Sequence, residues 1–199
     1  DCANYGSFMR RIGEIATVVS AGDLAVAGDI LCISGGFSGL ELVDISDLEN
    51  PQHLGVVDTP HMAYAVAVSG HTALVADYRA GLQVIDFTDP SAPTLVGSFD
   101  TPGYSWDVCA QDTLAYITDS DVGLMVIDFG DPAHPALVGQ VAIEGFAARL
   151  ALAGNLVYVG TDSNGTLIVD VTDPQAPVVV GHVVIPSSVA SLAVAGDIL

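Results

Sequence analysis

Seven side chains suited to binding a ligand lie in short loops between runs of strand-forming residues. They are aromatic or basic: His61, Tyr64, Tyr78, Arg79, Tyr104, Trp106 and Phe146. Aromatic and arginine side chains displayed on loops are typical of recognition surfaces, because they bury a large area when a partner docks. Aromatic rings can equally fill the gaps between structural units, so the sequence leaves both interpretations open.

Two further loops carry oxygen ligands at alternate positions, as calcium-binding loops do. Asp119 and Asp121 lie in one loop, and Asp162 and Asn164 lie in the other. Both loops lack the later glutamate that completes a calcium loop, and short loops of Asp, Asn and Gly are also common hairpin turns. Calcium is therefore the one cofactor that the sequence raises, beside the interpretation of both loops as ordinary turns.

An enzymatic site is an alternative interpretation of the acidic loop residues. Asp77, Asp107 and Asp119 together with His61 could serve a metal-dependent hydrolase, which needs several ligands converging on one ion. Of the five histidines, only His61 is expected on the same face as these loops. A non-enzymatic role is favoured for this reason, and no catalytic residue is assigned.

The elements that must position these loops repeat with a period of 42 residues. Each repeat contains a short apolar run that begins with glycine and ends with aspartate. The glycines are Gly39, Gly81, Gly123 and Gly165, and the aspartates are Asp44, Asp86, Asp128 and Asp170. Self-similarity at this period, in units rich in short strands, is typical of the blades of a β-propeller.

One repeat is predicted to form four short strands, at residues 64–69, 74–77, 82–87 and 95–99. The third is apolar on both faces, as expected of a strand between two neighbouring sheets. The sequence therefore predicts an all-β fold, a β-propeller of four-stranded blades. Residues 1–10 lie outside the repeat, residues 11–199 form the propeller, and blade boundaries fall near residues 20, 62, 104, 146 and 188.

The repeat register predicts incomplete blades at both ends of the chain. Residues 11–17 align with a fourth, outermost strand, and residues 191–194 align with the first, innermost strand of another blade. We therefore expect four full blades plus partial terminal strands, as a fragment of a ring of five or more blades. The remaining blades of the same protein are then expected partners, because terminal blades leave apolar faces uncovered.

The recurring polar residues have structural explanations. Asp44 and Asp47, with their equivalents in the other repeats, are predicted to accept backbone N–H bonds in turns. Gly81 and its equivalents are predicted to adopt positive φ where a loop re-enters the sheet. Asp107 and Arg149, at the same position of adjacent repeats, are predicted to form an ion pair near the central channel.

The composition excludes some partners. The chain has 24 acidic residues against four arginines, with no lysine, and a formal charge of -20. This charge repels phosphate backbones and anionic lipid, so nucleic acid is not an expected partner. The longest uncharged stretch contains three prolines and falls on predicted strands, so no membrane insertion is expected either.

The three cysteines do not indicate a catalytic nucleophile. Cys32 and Cys109 replace apolar strand residues of the other repeats, which predicts buried thiols. Cys2 lies outside the repeat and could form a disulfide with Cys32 if the protein is secreted.

The residues of the third strand and its turn carry a family resemblance. Residues 82–90 and 124–132 follow the pattern Leu-x-Val-Ile-Asp-x-Ser/Thr-Asp-Pro, with Gly130 as one departure from it. This pattern resembles the LVIVD repeat of bacterial and archaeal surface proteins. The resemblance extends over nearly all of the chain beyond about residue 11. It implies a β-propeller in an exported or cell-surface protein, and it brings no shared catalytic motif.

We therefore expect a non-enzymatic, extracellular or cell-surface module that presents its loop face to a protein or glycan partner. The metal-dependent hydrolase is one alternative, and a purely structural spacer in a surface protein is another.

Overall fold

The computed structural model describes residues 11–185 and 188–194, which form four sheets of four antiparallel strands each. The first sheet contains β1 (Asp23–Ala27), β2 (Ile30–Ser34), β3 (Leu40–Asp44) and β4 (Gln52–Val57). The second contains β5 (Ala65–Ser69), β6 (Thr72–Ala76), β7 (Leu82–Asp86) and β8 (Thr94–Phe99). The third contains β9 (Ser105–Gln111), β10 (Leu114–Asp119), β11 (Gly123–Asp128) and β12 (Ala136–Ala142). The fourth contains β13 (Ala147–Ala153), β14 (Leu156–Thr161), β15 (Thr166–Asp170) and β16 (Val178–Val183).

Each sheet is a simple meander in which strands adjacent in sequence are hydrogen-bonded neighbours. The register also repeats: the fourth strand of every sheet carries an irregularity at the same position. In the first sheet, Leu42 pairs with Gly55 and Val43 with His53, so one residue of β4 is unpaired. The predicted four-stranded blades are therefore confirmed, and the structure adds a β-bulge that all four share.

The apolar cores lie between the sheets. The third strands are almost completely buried, as shown by Leu82, Val84 and Ile85, each 0% exposed. Leu82 and Val84 pack with Met125 of the next blade, whereas Ile85 packs with residues of the preceding one. A strand that is covered on both faces must be apolar on both faces, which is the pattern seen in the sequence.

The first strands lie at the inner side of the assembly. Strand β5 contacts both β1 and β9, and β9 also contacts β13. The fourth strands are the most exposed, with every residue of β16 at least partly accessible to solvent. The chain therefore runs outward through each blade and returns through an inter-blade loop to the inner strand of the next.

The recurrent aspartates form the turns that were predicted for them. Asp86 Oδ1 accepts the Thr88 N–H at 2.8 Å, and Asp89 Oδ1 accepts the Ser91 N–H at 3.0 Å. Side-chain and backbone bonds from Thr88 hold the pKa of the Asp86 carboxyl below its ordinary value. The stabilisation from such turns is present above about pH 4 and is lost as the pH falls through the lowered pKa.

The loop glycines also behave as predicted. Gly39, Gly81, Gly123 and Gly165 have φ values of 74°, 69°, 110° and 72°, in the region that favours glycine.

A second set of glycines allows neighbouring blades to approach closely. On each of them a Cβ atom would collide with a backbone carbonyl oxygen in the turn after a third strand. The colliding pairs are Gly13 with Leu48, Gly55 with Pro90, Gly97 with Pro132 and Gly139 with Pro174. Three of these glycines lie on outer strands that contact the turn of the following blade, and Gly13 makes the equivalent contact from the segment before the first sheet.

The partial strands predicted for the two ends are not observed. Neither residues 11–17 nor residues 188–194 contain a strand. A strand needs a hydrogen-bonded neighbour, and each described sheet is already complete with four strands of its own. Residues 1–10, which include Cys2, and residues 195–199 lie outside the described part of the chain.

Residues 11–19 instead cover the outer face of the first sheet. Val19 is 6% exposed and packs in one cluster with Ile33 and Val43. Glu41 of β3 is fully buried, and its Oε2 accepts the N–H of Val18 at 3.0 Å and that of Val19 at 3.2 Å. This segment shields apolar residues of the first blade.

The two cysteines of the repeats differ in their burial. Cys32 is completely buried, and burial raises its pKa to about 12. The prediction of a buried thiol is wrong for Cys109, which is partly exposed, although partial burial raises its pKa as well. Across the described residues, no helix is both long and apolar enough to cross a bilayer.

We predict that Gly97→Ala lowers the free energy of unfolding by about 1–3 kcal/mol, because the new methyl group must displace the turn at Pro132. Equilibrium unfolding in urea measures the change. Gly181→Ala is the matched control, since its nearest atom is Cδ1 of the flexible Ile168 side chain at 3.0 Å. Equal losses in the two variants would show that the inter-blade contact is not the cause.

Candidate functional site

The predicted binding residues of the loops meet in one aromatic cluster, with Tyr78 at its centre. The ring centroid of Tyr78 lies 4.5 Å from that of Tyr104, 5.2 Å from Trp106, 5.4 Å from His61 and 5.5 Å from Tyr64. Tyr78 and Tyr104 are stacked at 19°, and Trp106 stands edge-on to Tyr78 at 78°. Loops from different blades therefore contribute to a single surface, which we call the aromatic cluster.

Phe146 and Arg79 complete the predicted set. The Phe146 ring lies 5.1 Å from that of Trp106. The guanidinium carbon of Arg79 lies 5.3 Å from the Tyr104 centroid and 5.9 Å from that of Tyr78, which is cation–π geometry. Arg79 is exposed, so its charge is accessible beside the stacked tyrosines.

Phe37 also belongs to the aromatic cluster, although it was not among the residues predicted from the sequence. Its ring lies 5.8 Å from that of His61 and is 71% exposed, so it continues the aromatic cluster onto the first blade. Phe37 occupies the repeat position of Arg79, 42 residues earlier. Comparing equivalent loop positions across repeats would have identified it.

The backbone of Tyr78 is in an unusual conformation. Its φ is 52°, in the left-handed region, where the equivalent Gly36 of the first blade has 59°. A side chain there costs on the order of 1 kcal/mol. The Ser105 N–H donates to the Tyr78 carbonyl at 2.8 Å, which ties this loop to β9. Strain of this kind is often retained where the position of a side chain matters for function.

Asp77 and Asp119 hold the inter-blade loops in place. The Asp77 carboxylate is buried and accepts the His61 N–H at 2.8 Å and the Thr59 hydroxyl at 2.9 Å. Asp119 accepts the N–H of Gly103 at the equivalent position, at 2.9 Å. Burial raises the pKa of Asp77. Both aspartates support the aromatic cluster, because they bond to the backbone of the loops that carry its side chains.

Two of the four residues considered for calcium, Asp119 and Asp162, already accept such bonds. Besides Gly103, Asp119 accepts the N–H groups of Asp121 and Val122 through Oδ1. Asp162 Oδ1 accepts the Phe146 N–H at 3.0 Å and the Ser163 hydroxyl at 2.9 Å. Within the described ranges, no group of three or more His, Cys, Asp or Glu side chains is placed to hold a metal ion. The donor geometry thus lends no support to a calcium site here.

A cleft lies beside the aromatic cluster, at the inner strands. Its volume is about 590 Å³, and Tyr64 and Trp106 form part of its wall. Five of its lining residues are spaced 42 positions apart and so occupy the same place in successive repeats. They are Asp23, Ala65, Asp107, Arg149 and Ser191. The same scaffold position thus carries different chemistry in each unit.

The predicted ion pair between Asp107 and Arg149 is wrong. Asp107 Oδ2 accepts the Leu150 N–H at 2.8 Å, whereas Arg149 donates to the carbonyl oxygens of Ala148 and Ala190 at 2.8 and 2.9 Å. Both side chains bond to backbone groups instead: Asp107 to the adjacent inner strand β13, and Arg149 to its own strand and to the segment at Ala190. Burial raises the pKa of Asp107 to about 6, although the charge of Arg149 acts in the opposite direction.

The proposed hydrolase residues do not converge. Of Asp77, Asp107, Asp119 and His61, only Asp107 lines the cleft. Asp77 and Asp119 are buried with their oxygens committed to loop N–H and hydroxyl groups. These four side chains therefore do not meet at one site in the described structure.

We predict a pH dependence from Asp107 that is opposite in sign to that of the turn aspartates. Because its pKa is higher in the folded state than in the unfolded state, its contribution to the free energy of unfolding falls as the pH rises from about 4 to about 6. The change amounts to about 3 kcal/mol. Urea unfolding of the wild type and of Asp107→Asn at several pH values measures it. The exposed Asp29→Asn serves as the control, and a constant difference between wild type and Asp107→Asn would refute the prediction.

Comparison with solved structures gives the fold. The computationally designed Ika8 protein has a TM-score of 0.69 at 14% identity, and the match covers 87% of this chain and 52% of that one. The chain therefore spans about half the length of Ika8. The β-propeller domain of Cps50 (Swd1) from Myceliophteria thermophila has a TM-score of 0.64 at 11% identity, covering 89% of this chain and 60% of that one.

A bacterial enzyme is also similar in fold. Glutaminyl cyclase from Myxococcus xanthus has a TM-score of 0.55 at 19% identity, and the match covers 81% of this chain and 70% of that one. At such identities the likeness concerns the fold alone. A search of curated proteins finds no match.

The family assignment comes from the repeats themselves. The LVIVD repeat is matched four times in succession, at residues 20–59, 60–101, 102–143 and 144–184. Each match contains one of the four sheets, and the matches together cover most of the chain. With its four-stranded blades and its propeller neighbours, this chain belongs to the LVIVD repeat family and has a β-propeller fold.

Proposed function

We propose that this protein is a non-enzymatic binding module whose aromatic cluster docks a partner, most directly another protein. The observation that carries the proposal is the convergence of aromatic and basic loop residues from successive blades around Tyr78. Tyrosine, tryptophan and arginine are the residues that contribute most to protein–protein binding energy.

The polar atoms of the aromatic cluster support the same function. His61 Nδ1 and Trp106 Nε1 are buried, and neither has a hydrogen-bond partner among the described residues. A buried polar atom without a partner costs about 1–3 kcal/mol, so a ligand that supplies one gains affinity. The exposed guanidinium of Arg79 adds a charge that can form a bidentate pair with a carboxylate.

The difference between the recurring residues and the variable loop residues of the repeat also supports a binding role. The residues that recur, such as Asp86 and Gly81, make turns and permit close packing. The loops that carry the aromatic cluster differ from blade to blade, as at Gly36 and Tyr78 or at Phe37 and Arg79. A pure spacer would not require a ring of the size of tyrosine at a strained position such as residue 78.

An extracellular or cell-surface location forms part of the proposal. Its support is the resemblance of the repeat motif to the LVIVD repeat of bacterial and archaeal surface proteins, together with the formal charge of -20. A strongly acidic surface remains soluble and repels anionic lipid headgroups. Labelling of intact cells of the source organism with a membrane-impermeant reagent tests the location, and labelling only after lysis would contradict it.

The binding proposal is tested by capture from a surface-protein extract of the source organism, followed by titration of the purified partner. We expect Tyr104→Ala and Phe37→Ala each to raise Kd at least tenfold, because both side chains are exposed and their loss removes contact area. Leu137→Ala is the matched control, since Leu137 is 44% exposed on β12, away from the aromatic cluster.

A parallel glycan array distinguishes the second class of partner. Binding of a glycan that is lost in Tyr104→Ala would replace the protein partner with a carbohydrate one at the same surface. If no protein or glycan binding depends on Tyr104, Phe37 or Trp106, the protein is a structural spacer and the proposal fails.

A further inference from the structure

The cleft at the inner strands has a charge pattern that the aromatic cluster does not explain. It brings together two carboxylates, Asp23 and Asp107, and one guanidinium, Arg149. These side chains come from three different blades at one repeat position. The electrostatic influence of both Asp23 and Arg149 on Asp107 shows that the three charges lie within interaction range.

The two carboxylates are held in fixed orientations. Asp23 Oδ2 accepts the N–H of Val66 at 3.0 Å, and Asp107 Oδ2 accepts that of Leu150 at 2.8 Å. The two bonds are equivalent, since each joins an inner-strand aspartate to the residue 43 positions later. A carboxylate has about four lone-pair positions, so each group retains acceptor capacity for a ligand.

The Arg149 side chain is also fixed by hydrogen bonds to backbone carbonyl oxygens. Its Nε donates to the Ala190 carbonyl and its Nη1 to the Ala148 carbonyl. A guanidinium has five N–H donors, so these bonds leave donors for an anion. No carboxylate of the described chain lies within ion-pair distance of Arg149.

The walls of the cleft suit an aliphatic chain between the charged ends. Tyr64, Trp106, Val108, Leu150 and Leu192 contribute to its lining. Indole and phenol rings also attract cations through their faces. A volume of about 590 Å³ falls within the range of small-molecule sites.

We propose that this cleft binds a free basic amino acid, with its two ammonium groups at Asp23 and Asp107 and its carboxylate at Arg149. Two cations and one anion complement two carboxylates and one guanidinium, which neither a simple amine nor a neutral amino acid does. The methylene chain of the ligand lies against Trp106 and Tyr64. The cleft shares Tyr64 and Trp106 with the aromatic cluster, whereas the exposed members Phe37, Arg79 and Tyr104 do not line it.

The protonation behaviour of Asp107 agrees with such a ligand. Burial raises the pKa of Asp107 because the ionised carboxylate lacks sufficient solvation. An ammonium group beside it would restore favourable interactions and shift this pKa downward. Ligand binding should then be accompanied by proton release near pH 6.

Isothermal titration of the 199-residue protein with three related probes tests the proposal. L-lysine carries all three charges, cadaverine lacks the carboxylate, and L-norleucine lacks the side-chain ammonium. We expect L-lysine to bind at least tenfold more tightly than either analogue at pH 7.5. Equal affinity for L-lysine and cadaverine, or no binding of L-lysine at 10 mM, would overturn the proposal.

Variants assign the charges to the residues. Arg149→Met should abolish the preference for L-lysine over cadaverine, whereas Asp107→Asn and Asp23→Asn should each weaken both probes at least tenfold. Asp29→Asn is the control for the loss of one surface carboxylate. Thermal unfolding identifies a variant that does not fold, in which case the other aspartate variant decides the outcome. Wild-type affinity in a folded Asp23→Asn or Asp107→Asn protein would refute the assignment.

The aromatic cluster provides a final control. Tyr104→Ala, which should abolish partner binding, should leave the affinity for L-lysine within twofold of the wild type. Loss of L-lysine binding in Tyr104→Ala would show that the ligand occupies the aromatic cluster and not the cleft.

Discussion

The structure depends on the burial of each blade's third strand between two neighbouring sheets. Leu82, Val84 and Ile85 of β7 have no solvent exposure, and their partners come from the blades on either side. Because no single blade can cover both faces of its own sheet, stability rests on contacts between successive repeats. The outer-strand glycines follow from the same requirement, since a side chain at Gly97 would separate two blades at the turn of Pro132.

The first blade shows that a sheet face not packed against another sheet is still covered. Where a preceding sheet would lie, residues 11–19 provide apolar side chains such as Val19. Glu41 secures them with a buried carboxylate that accepts two backbone N–H groups. A segment without regular secondary structure can therefore perform part of the covering that a sheet performs elsewhere.

A rigid scaffold of this kind leaves the loops and the inner ends of the strands free to differ. Buried aspartates such as Asp77 connect the sheets to the loops, because their carboxylates accept hydrogen bonds from the loop backbone. The aromatic cluster around Tyr78 rests on these supports, and its members come from loops that do not repeat. The inner-strand position that holds Asp23, Asp107 and Arg149 shows the same principle, with equivalent backbone geometry and different charges.

Family membership and fold are consistent with this separation, and they do not decide the ligand. The similar structures include a designed protein, a propeller domain and an enzyme, all below 20% identity. Function in such a fold resides in the side chains that a particular chain adds to it. For this protein those are the aromatic and charged groups at the loops and inner strands.

The period, the strands and the turns could be predicted from the sequence, because they depend on local patterns that recur every 42 residues. It also predicted that His61, Tyr78 and Trp106 belong to one set, since the propeller topology places their loops on one face. Tertiary structure decided the rest. Whether residues 11–17 form a strand depends on a hydrogen-bonded neighbour, and whether Asp107 reaches Arg149 depends on competition from backbone groups such as the Leu150 N–H. The repeat register determines where a residue lies in its blade. The group that its side chain bonds to depends on the blade packed beside it.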